Sequence, residues 1–305
     1  MPIRTLRELG ERVSWGGVRY LMERVVHMAI KAIALDIDGT LTNDEKKITP
    51  RTKRALLDAQ DAGVKLILSS GRPVQGLRAI ASELGLEAHG GLLVSFNGAH
   101  VVDAGTDEVL YDQPIEVDVM RSLVEHVRSF DVIPWITQGA RLYVERGSRH
   151  VITYRGEPFD IVEYERRMCD LELHEVDDLL EVCGTPQDKL LCASEPEYLQ
   201  QHWRAMYGPF TDELSGMFTA DFYFEFMAPG IDKGRALAGA LPKLGIDASE
   251  VIAFGDGQND VSMLRWAGTG VAMGNAVDEA KAAADMVTAS NNEDGIALTL
   301  TEFLG

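Results

Sequence analysis

The chain has 305 residues, of which 46% are hydrophobic and 25% charged, and its formal net charge is -19. A chain of this length can bury a full core and still carry a second domain, so we expect two domains. The negative charge argues against nucleic acid as a partner, and no apolar run approaches the roughly 18 to 20 residues that a membrane span needs, so no membrane association is expected.

The cysteines and histidines limit the choice of metal site. Cys169, Cys183 and Cys192 are odd in number and form no C-x-x-C pair, which argues against a disulfide framework or a zinc site. Free thiols in a reducing cytoplasm fit this pattern best. The seven histidines show no metal-binding spacing, so any bound metal would be held by oxygen atoms.

Residues 1–27 differ in composition from the rest of the chain. They carry five arginines and three glutamates and contain no continuous apolar segment. A secretory signal or a transit peptide would have a different composition. We therefore predict an N-terminal extension over 1–27 with no catalytic role.

Strands and helices alternate from residue 31 onward. In chain order the pattern predicts a strand over 33–35, a helix over 50–63 that Thr49 caps, a strand over 64–70, a helix over 73–85 and a strand over 91–98. The strands are apolar on both faces. This alternation is typical of a parallel sheet covered by helices on each side.

The same alternation returns near the end of the chain, after a segment with a different pattern of residues. Residues 233–245 and 260–268 read as helices, and 250–256 and 269–275 as strands. Between Tyr111 and Phe222 the chain instead mixes aromatic and charged residues in alternating segments with glycine turn signals. We predict a Rossmann-like α/β core over 28–112 and 222–305, interrupted by an inserted α+β domain over 113–221.

Polar residues follow the predicted core strands at their carboxyl ends. They are Asp36 and Asp38 after the first strand, Ser70, Gly71 and Arg72 after the second, and the segment Gly255 to Asp260 after the strand that begins at Val251, while Lys233 opens the helix that follows the insert. In open parallel sheets, ligands bind at the carboxyl ends of the strands. These residues are therefore expected to surround one site.

Asp36, Asp38, Asp256 and Asp260 would repel one another at such a site, since a pair of like charges about 4 Å apart costs roughly 4 kcal/mol at an effective dielectric near 20. A hard divalent cation removes this conflict. Mg²⁺ takes oxygen ligands and often uses only a few carboxylates together with a phosphate. The acids therefore favour Mg²⁺ over zinc or a softer metal.

Three further residues suit a phosphate ligand. Ser70 and the amide of Gly71 offer hydrogen bonds to phosphate oxygens without adding bulk, and Lys233 supplies a positive charge. Together with the acids they predict a binding site for a phosphoryl group.

The order of these motifs resembles that of the haloacid dehalogenase superfamily. The motifs are D-x-D-G-T at 36–40, S-G-R at 70–72, a lysine at 233 and G-D-G-x-N-D at 255–260. The stretch NGAHVVD at 97–103, the large insert and the sequence GDGQNDVSML resemble the Cof-type sugar-phosphatase branch of that superfamily. The resemblance covers roughly Lys31 to Leu304, and its motifs are dense in the core and weak in the insert.

The resemblance implies a haloacid dehalogenase-like fold and a phosphatase that uses Mg²⁺. Asp36 would be the nucleophile that forms an aspartyl-phosphate, and Asp38 would be the general acid and then the base that activates water. Mg²⁺ would bind the Asp36 carboxylate, the Asp38 backbone carbonyl and Asp256. Ile37 would contribute its backbone amide to the phosphate.

The remaining motif residues would stabilise the transferred group. Ser70, Gly71, Lys233 and Asn259 would hold the phosphate oxygens, and Asp260 would steady Lys233 or a water on the metal. The predicted substrate is a small phosphorylated metabolite, such as a sugar phosphate or a phosphorylated cofactor, and the predicted assembly is a monomer or a homodimer.

Two other functions are compatible with the same residues. One is a phosphotransferase or mutase, which would pass the phosphoryl group to a sugar rather than to water. The other is a phosphate-ligand sensor without turnover, although binding alone needs no nucleophile with an acid two residues away.

The insert is expected to close over the site as a cap that excludes water and selects the leaving group. Arg141, Tyr143 and Glu145 lie on a predicted hairpin of the insert and could face either the substrate or solvent. In the core, Asn97 and Gly98 are interpreted as a hairpin turn, and Arg72 as a structural residue.

Overall fold

A computed structural model describes residues 30–304, so the predicted extension over 1–27 lies outside the described residues. Two mixed regions of helix and strand follow, each built around its own large sheet. No helix within 30–304 is long and apolar enough to cross a membrane.

The strands and helices are numbered here in chain order. The strands are β1 (Ala32–Asp36), β2 (Lys65–Ser69), β3 (Leu92–Ser95), β4 (His100–Asp103), β5 (Val109–Asp112), β6 (Ile133–Gln138), β7 (Arg141–Glu145), β8 (Val151–Tyr154), β9 (Glu157–Asp160), β10 (Glu172–Val176), β11 (Lys189–Ala193), β12 (Ser215–Ala220), β13 (Tyr223–Met227), β14 (Val251–Gly255), β15 (Thr269–Ala272) and β16 (Met286–Val287). The α-helices are α1 (Pro50–Asp61), α2 (Gln75–Glu83), α3 (Leu86–His89), α4 (Val117–Val127), α5 (Ile161–Met168), α6 (Pro196–Tyr207), α7 (Lys233–Ala240), α8 (Val261–Trp266), α9 (Asp278–Ala283) and α10 (Gly295–Leu304).

The first sheet has eight strands in the order β16-β15-β14-β1-β2-β3-β4-β5. The strands from β16 to β3 are parallel to their neighbours, and β4 and β5 extend the sheet as antiparallel strands. Every residue of β1 and β14 is buried, as expected for strands covered on both faces. The predicted parallel α/β core is confirmed. Because β1 lies between β14 and β2, the carboxyl ends of these three strands meet at the middle of one sheet edge.

Local sequence signals fix several helix ends in this core. The Thr49 side chain accepts a hydrogen bond from the backbone N–H of Thr52 and caps α1, which begins at Pro50. Helix α7 ends at Ala240, and the chain continues as a 3₁₀ turn over Leu241–Leu244. Pro242 lies in that turn, where its ring cannot continue the α-helical hydrogen bonding.

The second sheet has six strands in the order β10-β7-β6-β11-β13-β12 and is mostly antiparallel. One face packs on α4 and α6 through a cluster that includes Leu190, Phe224 and Phe226. The opposite face packs on α5 through a cluster that includes Trp135 and Leu191. The insert therefore has hydrophobic cores of its own, on the two faces of its sheet.

The second predicted boundary, at residue 222, differs from the sheet pairing. β13 pairs along its whole length with β11, and it pairs with β12 with one register shift between Phe218 and Ala220, so residues 223–227 belong to the six-stranded sheet. The sequence suggested an earlier return because β13, with the residues YFEFM, is as apolar as a core strand. Its burial is explained by its position inside the sheet of the insert.

Candidate active site

The strand register brings the predicted motifs to one cavity. Asp36, the last residue of β1, pairs with Ser69 at the end of β2, and on the other side Leu35 pairs with Phe254 of β14. Residues just beyond these ends line a cavity of about 390 Å³ between the two large sheets. On the core side its wall includes Asp36, Asp38, Lys46, Ser70, Gly71, Arg72, Asn97, Asp256, Gly257, Asn259 and Asp260.

Lys233 is the buried charge that links two of the acids. It opens α7, whose N-cap Asp232 accepts a hydrogen bond from the backbone N–H of Arg235. The Lys233 ammonium donates to Asp36 Oδ1 at 2.6 Å and Asp260 Oδ1 at 2.7 Å, and to the backbone oxygen of Ser69 at 3.0 Å. The side chain has no exposed surface. All three ammonium hydrogens are therefore used within the protein.

Asp260 stabilises the loop that follows β14. Its Oδ2 accepts hydrogen bonds from the backbone N–H groups of Asp256 and Gly257, at 2.9 and 2.8 Å. Its Oδ1 is bound to Lys233. Because both oxygens already have partners, Asp260 is suited to holding Lys233 and the loop.

Burial and charge repulsion act on Asp36. Burial, followed by the charge of Asp260, raises the pKa of Asp36 to about 8, and the ammonium of Lys233 opposes this rise. Burial also raises the pKa of Asp256. One lysine therefore does not fully compensate the buried carboxylates, and a further cation beside them would favour their ionised forms.

The donor atoms fit a hard divalent cation. Carboxylate oxygens of Asp36, Asp256 and Asp260 lie within 4.8 Å of one another. The Oγ1 of Thr40 donates to Asp256 Oδ1 at 2.7 Å and fixes that carboxylate. Thr40 belongs to the predicted first motif, but its sequence position gave no sign that it would orient an acid 216 residues away.

Gly39 provides the space for Asp256. Its φ is +89°, and a Cβ there would lie 2.4 Å from Asp256 Oδ2. A side chain at this position would thus displace the acid as well as strain the backbone. The close approach explains the glycine of the D-x-D-G-T motif.

We predict that Gly39→Ala lowers both stability and activity, whereas Gly63→Ala lowers stability alone. Gly63 has nearly the same φ, +90°, but nothing lies within 4 Å of its Cβ position. Each alanine should cost about 1 to 2 kcal/mol of unfolding free energy for the positive φ. The displaced Asp256 should also raise the Mg²⁺ concentration for half-maximal phosphate release in Gly39→Ala only. Urea unfolding and metal titrations would check this, and equal metal dependence in the two variants would contradict it.

Asp38 lies at the mouth of the cavity and is held by two cations. Arg72 donates to both of its carboxylate oxygens, at 2.9 and 2.7 Å, and Lys46 donates to Oδ1 at 2.9 Å. Burial alone would raise the pKa of Asp38, but the charge of Arg72 and the contacts with Lys46 outweigh it and lower that pKa. The structure therefore gives Arg72 a direct contact with a predicted catalytic residue, where the sequence suggested a structural role. Lys46 carried no sequence signal at all.

Asn97 is a further residue that the sequence analysis did not assign to the site. Residues 96–99 do form the predicted hairpin turn, since Ser95 pairs with His100. Asn97 is nevertheless buried with φ +56°, and its Oδ1 accepts a hydrogen bond from Asn259 Nδ2 at 3.1 Å. The turn thus orients Asn259, one of the residues predicted to bind phosphate.

Gly98 allows that turn to approach α7. A Cβ at Gly98, where φ is +105°, would lie 2.4 Å from the backbone oxygen of Asp232. Asp232 immediately precedes Lys233. Asn97 therefore orients Asn259, and Gly98 allows the turn to pack closely against the start of α7.

The residues predicted to bind phosphate lie at different depths below the cavity surface. Ser70, Gly71 and Asn259 line the cavity, whereas Lys233 lies behind Asp36. Ile37 is fully buried and is not among the residues that line the cavity, so its predicted backbone contact with the phosphate stays a prediction.

The six-stranded sheet and α5 supply the other wall of the cavity. The residues from this side are Tyr164, Glu165, Met168, Cys169, Lys189, Leu191, Thr219, Ala220, Phe222, Tyr223 and Glu225. Arg141, Tyr143 and Glu145, which the sequence left open as substrate contacts, are not part of this wall. Glu145 instead pairs with Arg128.

Comparisons with known proteins identify the family and the fold of this chain. A family model described as haloacid dehalogenase-like hydrolase matches residues 33–300. The Bacillus subtilis protein YxeH is 31% identical over 276 residues, which cover 90% of this chain and 98% of YxeH. YcsE of the same organism, named 5-amino-6-(5-phospho-D-ribitylamino)uracil phosphatase, is 29% identical over 276 residues, which cover 90% of this chain and 96% of YcsE. The crystal structure of a haloacid dehalogenase-like hydrolase from Bacteroides thetaiotaomicron has a TM-score of 0.81 at 32% identity, covering 89% of this chain and 98% of that one.

Proposed function

This chain belongs to the haloacid dehalogenase-like hydrolase family and is a phosphatase, and from that premise we propose that it hydrolyses small phosphorylated metabolites by forming an aspartyl-phosphate on Asp36. The observation that carries the proposal is the state of this carboxylate. Lys233 holds Oδ1, while Oδ2 has no hydrogen bond from any residue within 30–304. Asp36 thus presents a free, oriented oxygen at the cavity wall.

In the first step, Asp36 Oδ2 forms a bond to phosphorus while the bond from phosphorus to the leaving oxygen breaks. Asp38 gives a proton to that oxygen, and the product is an alcohol. In the second step, Asp38 takes a proton from water, whose oxygen attacks phosphorus and breaks the bond to Asp36. Inorganic phosphate leaves, and both carboxyl groups return to their initial states.

Asp38 must first part from its cations, because its lowered pKa makes it a poor proton donor while Arg72 and Lys46 hold it. A bound phosphate dianion would compete for the same two cations. Substrate binding would therefore release Asp38 and raise its pKa at the moment when a proton is needed. Arg72 and Lys46 therefore position the acid only until the substrate binds.

The other motif residues are proposed to hold the phosphate. Ser70, Asn259 and the backbone amides of Ile37 and Gly71 would donate to its oxygens, and Lys233 would offset its charge. Asp260 would keep Lys233 and the loop after β14 in place. The hydrogen bonds of Asp260 to Lys233 and to two backbone N–H groups support this role.

Mg²⁺ is proposed as the cofactor, held by the Asp36 and Asp256 carboxylates and the Asp38 backbone carbonyl. Three observations support this choice: the carboxylate oxygens are clustered, the pKa values of Asp36 and Asp256 are raised, and Gly39 lets Asp256 approach the first motif closely. When bound, such an ion offsets the repulsion between the nucleophilic carboxylate and the phosphate.

The domain limits and the setting of the enzyme are also part of the proposal. We propose a core over 28–112 and 228–305 and a cap over 113–227, which would exclude water from the aspartyl-phosphate. Three unpaired, buried cysteines support a cytoplasmic enzyme. We propose that it acts as a monomer or a homodimer.

Phosphate release from p-nitrophenyl phosphate tests the proposed function. We expect activity that is lost in EDTA and restored by added Mg²⁺. Full activity in EDTA would contradict the proposed cofactor. Transfer of phosphate to an added sugar in place of water would favour a phosphotransferase.

A further inference from the structure

One buried acid in the cavity wall has an oxygen without a partner. Glu225, in β13, is 3% exposed, and its Oε1 accepts a hydrogen bond from Lys189 at 2.8 Å. Its Oε2 is buried and has no hydrogen-bond partner. A buried carboxylate oxygen without a partner is costly, and a pair with only a structural role would gain by satisfying it.

Lys189 complements this free acceptor with a free donor. Its ammonium donates to Glu225 and to the backbone oxygen of Gly71 at 3.3 Å. Its third N–H has no acceptor among residues 30–304. The Phe96 ring centroid, 5.5 Å from Nζ, gives the cation a further neighbour in the core. Lys189 thus reaches from the six-stranded sheet to the loop that is proposed to hold the phosphate.

The sheet register explains why the two side chains meet. Leu191 of β11 pairs directly with Glu225, so Lys189, two residues earlier in β11, lies on the same face of the sheet. This face also carries Tyr223. Lys189, Glu225 and Tyr223 all line the cavity that contains Asp36.

The charges at this end of the cavity are nearly balanced, with a small excess of acid. Lys189 neutralises Glu225, while Glu165 lies nearby in the same wall. Glu165 is already engaged, since its Oε2 accepts from the Tyr223 hydroxyl at 3.1 Å and its Oε1 from Cys169 Sγ at 3.5 Å. A ligand here would meet one free anionic acceptor and one free cationic donor.

We propose that Glu225 and Lys189 select the leaving group by binding one of its hydroxyls, with the hydroxyl donating to Glu225 Oε2 and accepting from Lys189. The inference rests on the proposed function, because the ligand is the alcohol portion of the phosphate ester. A hydroxyl both donates and accepts, and so satisfies both free positions at once. A leaving group without hydroxyls would leave the buried acceptor unpaired.

The first test compares ribitol 5-phosphate with pentyl phosphate, which has the same number of carbons in its chain but no hydroxyls. We expect the wild-type kcat/KM to favour ribitol 5-phosphate by roughly 100-fold or more, because a site built for a hydroxyl rejects an analogue that lacks it. Equal values for the two esters would overturn the proposal. Failure to hydrolyse any phosphate ester would instead count against the proposed function.

The second test uses Glu225→Gln. Lys189 would hold the amide oxygen, so the amide NH₂ would replace the free acceptor by a donor. We expect kcat/KM for ribitol 5-phosphate to fall about 10- to 100-fold, while that for pentyl phosphate changes little. A parallel loss with both esters would show a structural role and overturn the proposal.

Glu165→Gln is the matched control, because it removes the same charge from the same wall at an acid whose oxygens already have partners. We expect it to leave the ratio of the two kcat/KM values within about twofold of wild type, since the free acceptor is unchanged. If Glu165→Gln shifted this ratio as much as Glu225→Gln does, the effect would come from the loss of any negative charge in this wall. That result would contradict the proposal. Urea unfolding of both variants would confirm that each is folded under the assay conditions.

Discussion

Asp36→Asn is expected to lower phosphate release by roughly 1,000-fold or more, because the amide cannot form the covalent phosphate. The substitution keeps the shape of the side chain. Lys233 retains its bonds to Asp260 and to the Ser69 backbone oxygen. We expect the free energy of unfolding to change by no more than about 2 kcal/mol, because the lost ion pair is offset by the removal of a buried charge.

The measurement is the rate of phosphate release from p-nitrophenyl phosphate, together with urea unfolding of the same preparation. Asp61→Asn is the control, since Asp61 is exposed at the end of α1. That variant should match wild type in both measurements. Substantial activity in folded Asp36→Asn would rule out Asp36 as the nucleophile.

Lys233→Met is expected to have the largest effect on stability. It would leave the Asp36 and Asp260 carboxylates buried without their shared cation. Removing one partner of a buried ion pair costs about 3 to 5 kcal/mol. Activity should be lost as well, because Asp36 would lose the contact that orients it. Urea unfolding and phosphate release would check both expectations.

Two further variants separate the charge effect from the loss of a lysine side chain. Lys47→Met changes an exposed lysine, 72% accessible, whose partner Glu45 is equally exposed, and should alter stability by less than about 1 kcal/mol. The double variant Lys233→Met with Asp260→Asn removes one of the two carboxylates that Lys233→Met leaves without a cation. This double variant should regain at least about 1 kcal/mol relative to Lys233→Met alone. Without that gain, the cost would lie in packing rather than in unpaired charge.

Much of the core was predictable from sequence because its signals are local. Burial on both faces makes the parallel strands continuously apolar, and Thr49 and Pro50 mark the start of α1 through their own chemistry. The motif acids could be placed near one another for a general reason. Polar residues at the carboxyl ends of adjacent parallel strands share one edge of the sheet.

The return from the insert to the core could not be predicted in the same way. β13 is fully buried in the six-stranded sheet, and four of its five residues are apolar, as in the core strand β1. Which sheet a buried strand joins depends on long-range pairing. The apolar pattern alone carries no information about its partners.

The sequence by itself determined the order of the motifs, the α/β core and the residue types that suit a phosphate and a hard cation. Only the tertiary structure decided which groups contact each other: Lys233 with Asp36 and Asp260, Arg72 and Lys46 with Asp38, and Lys189 with Glu225. The reason is physical. Secondary structure follows from local periodicity, whereas an ion pair is set by where side chains distant in sequence end once the sheets have packed.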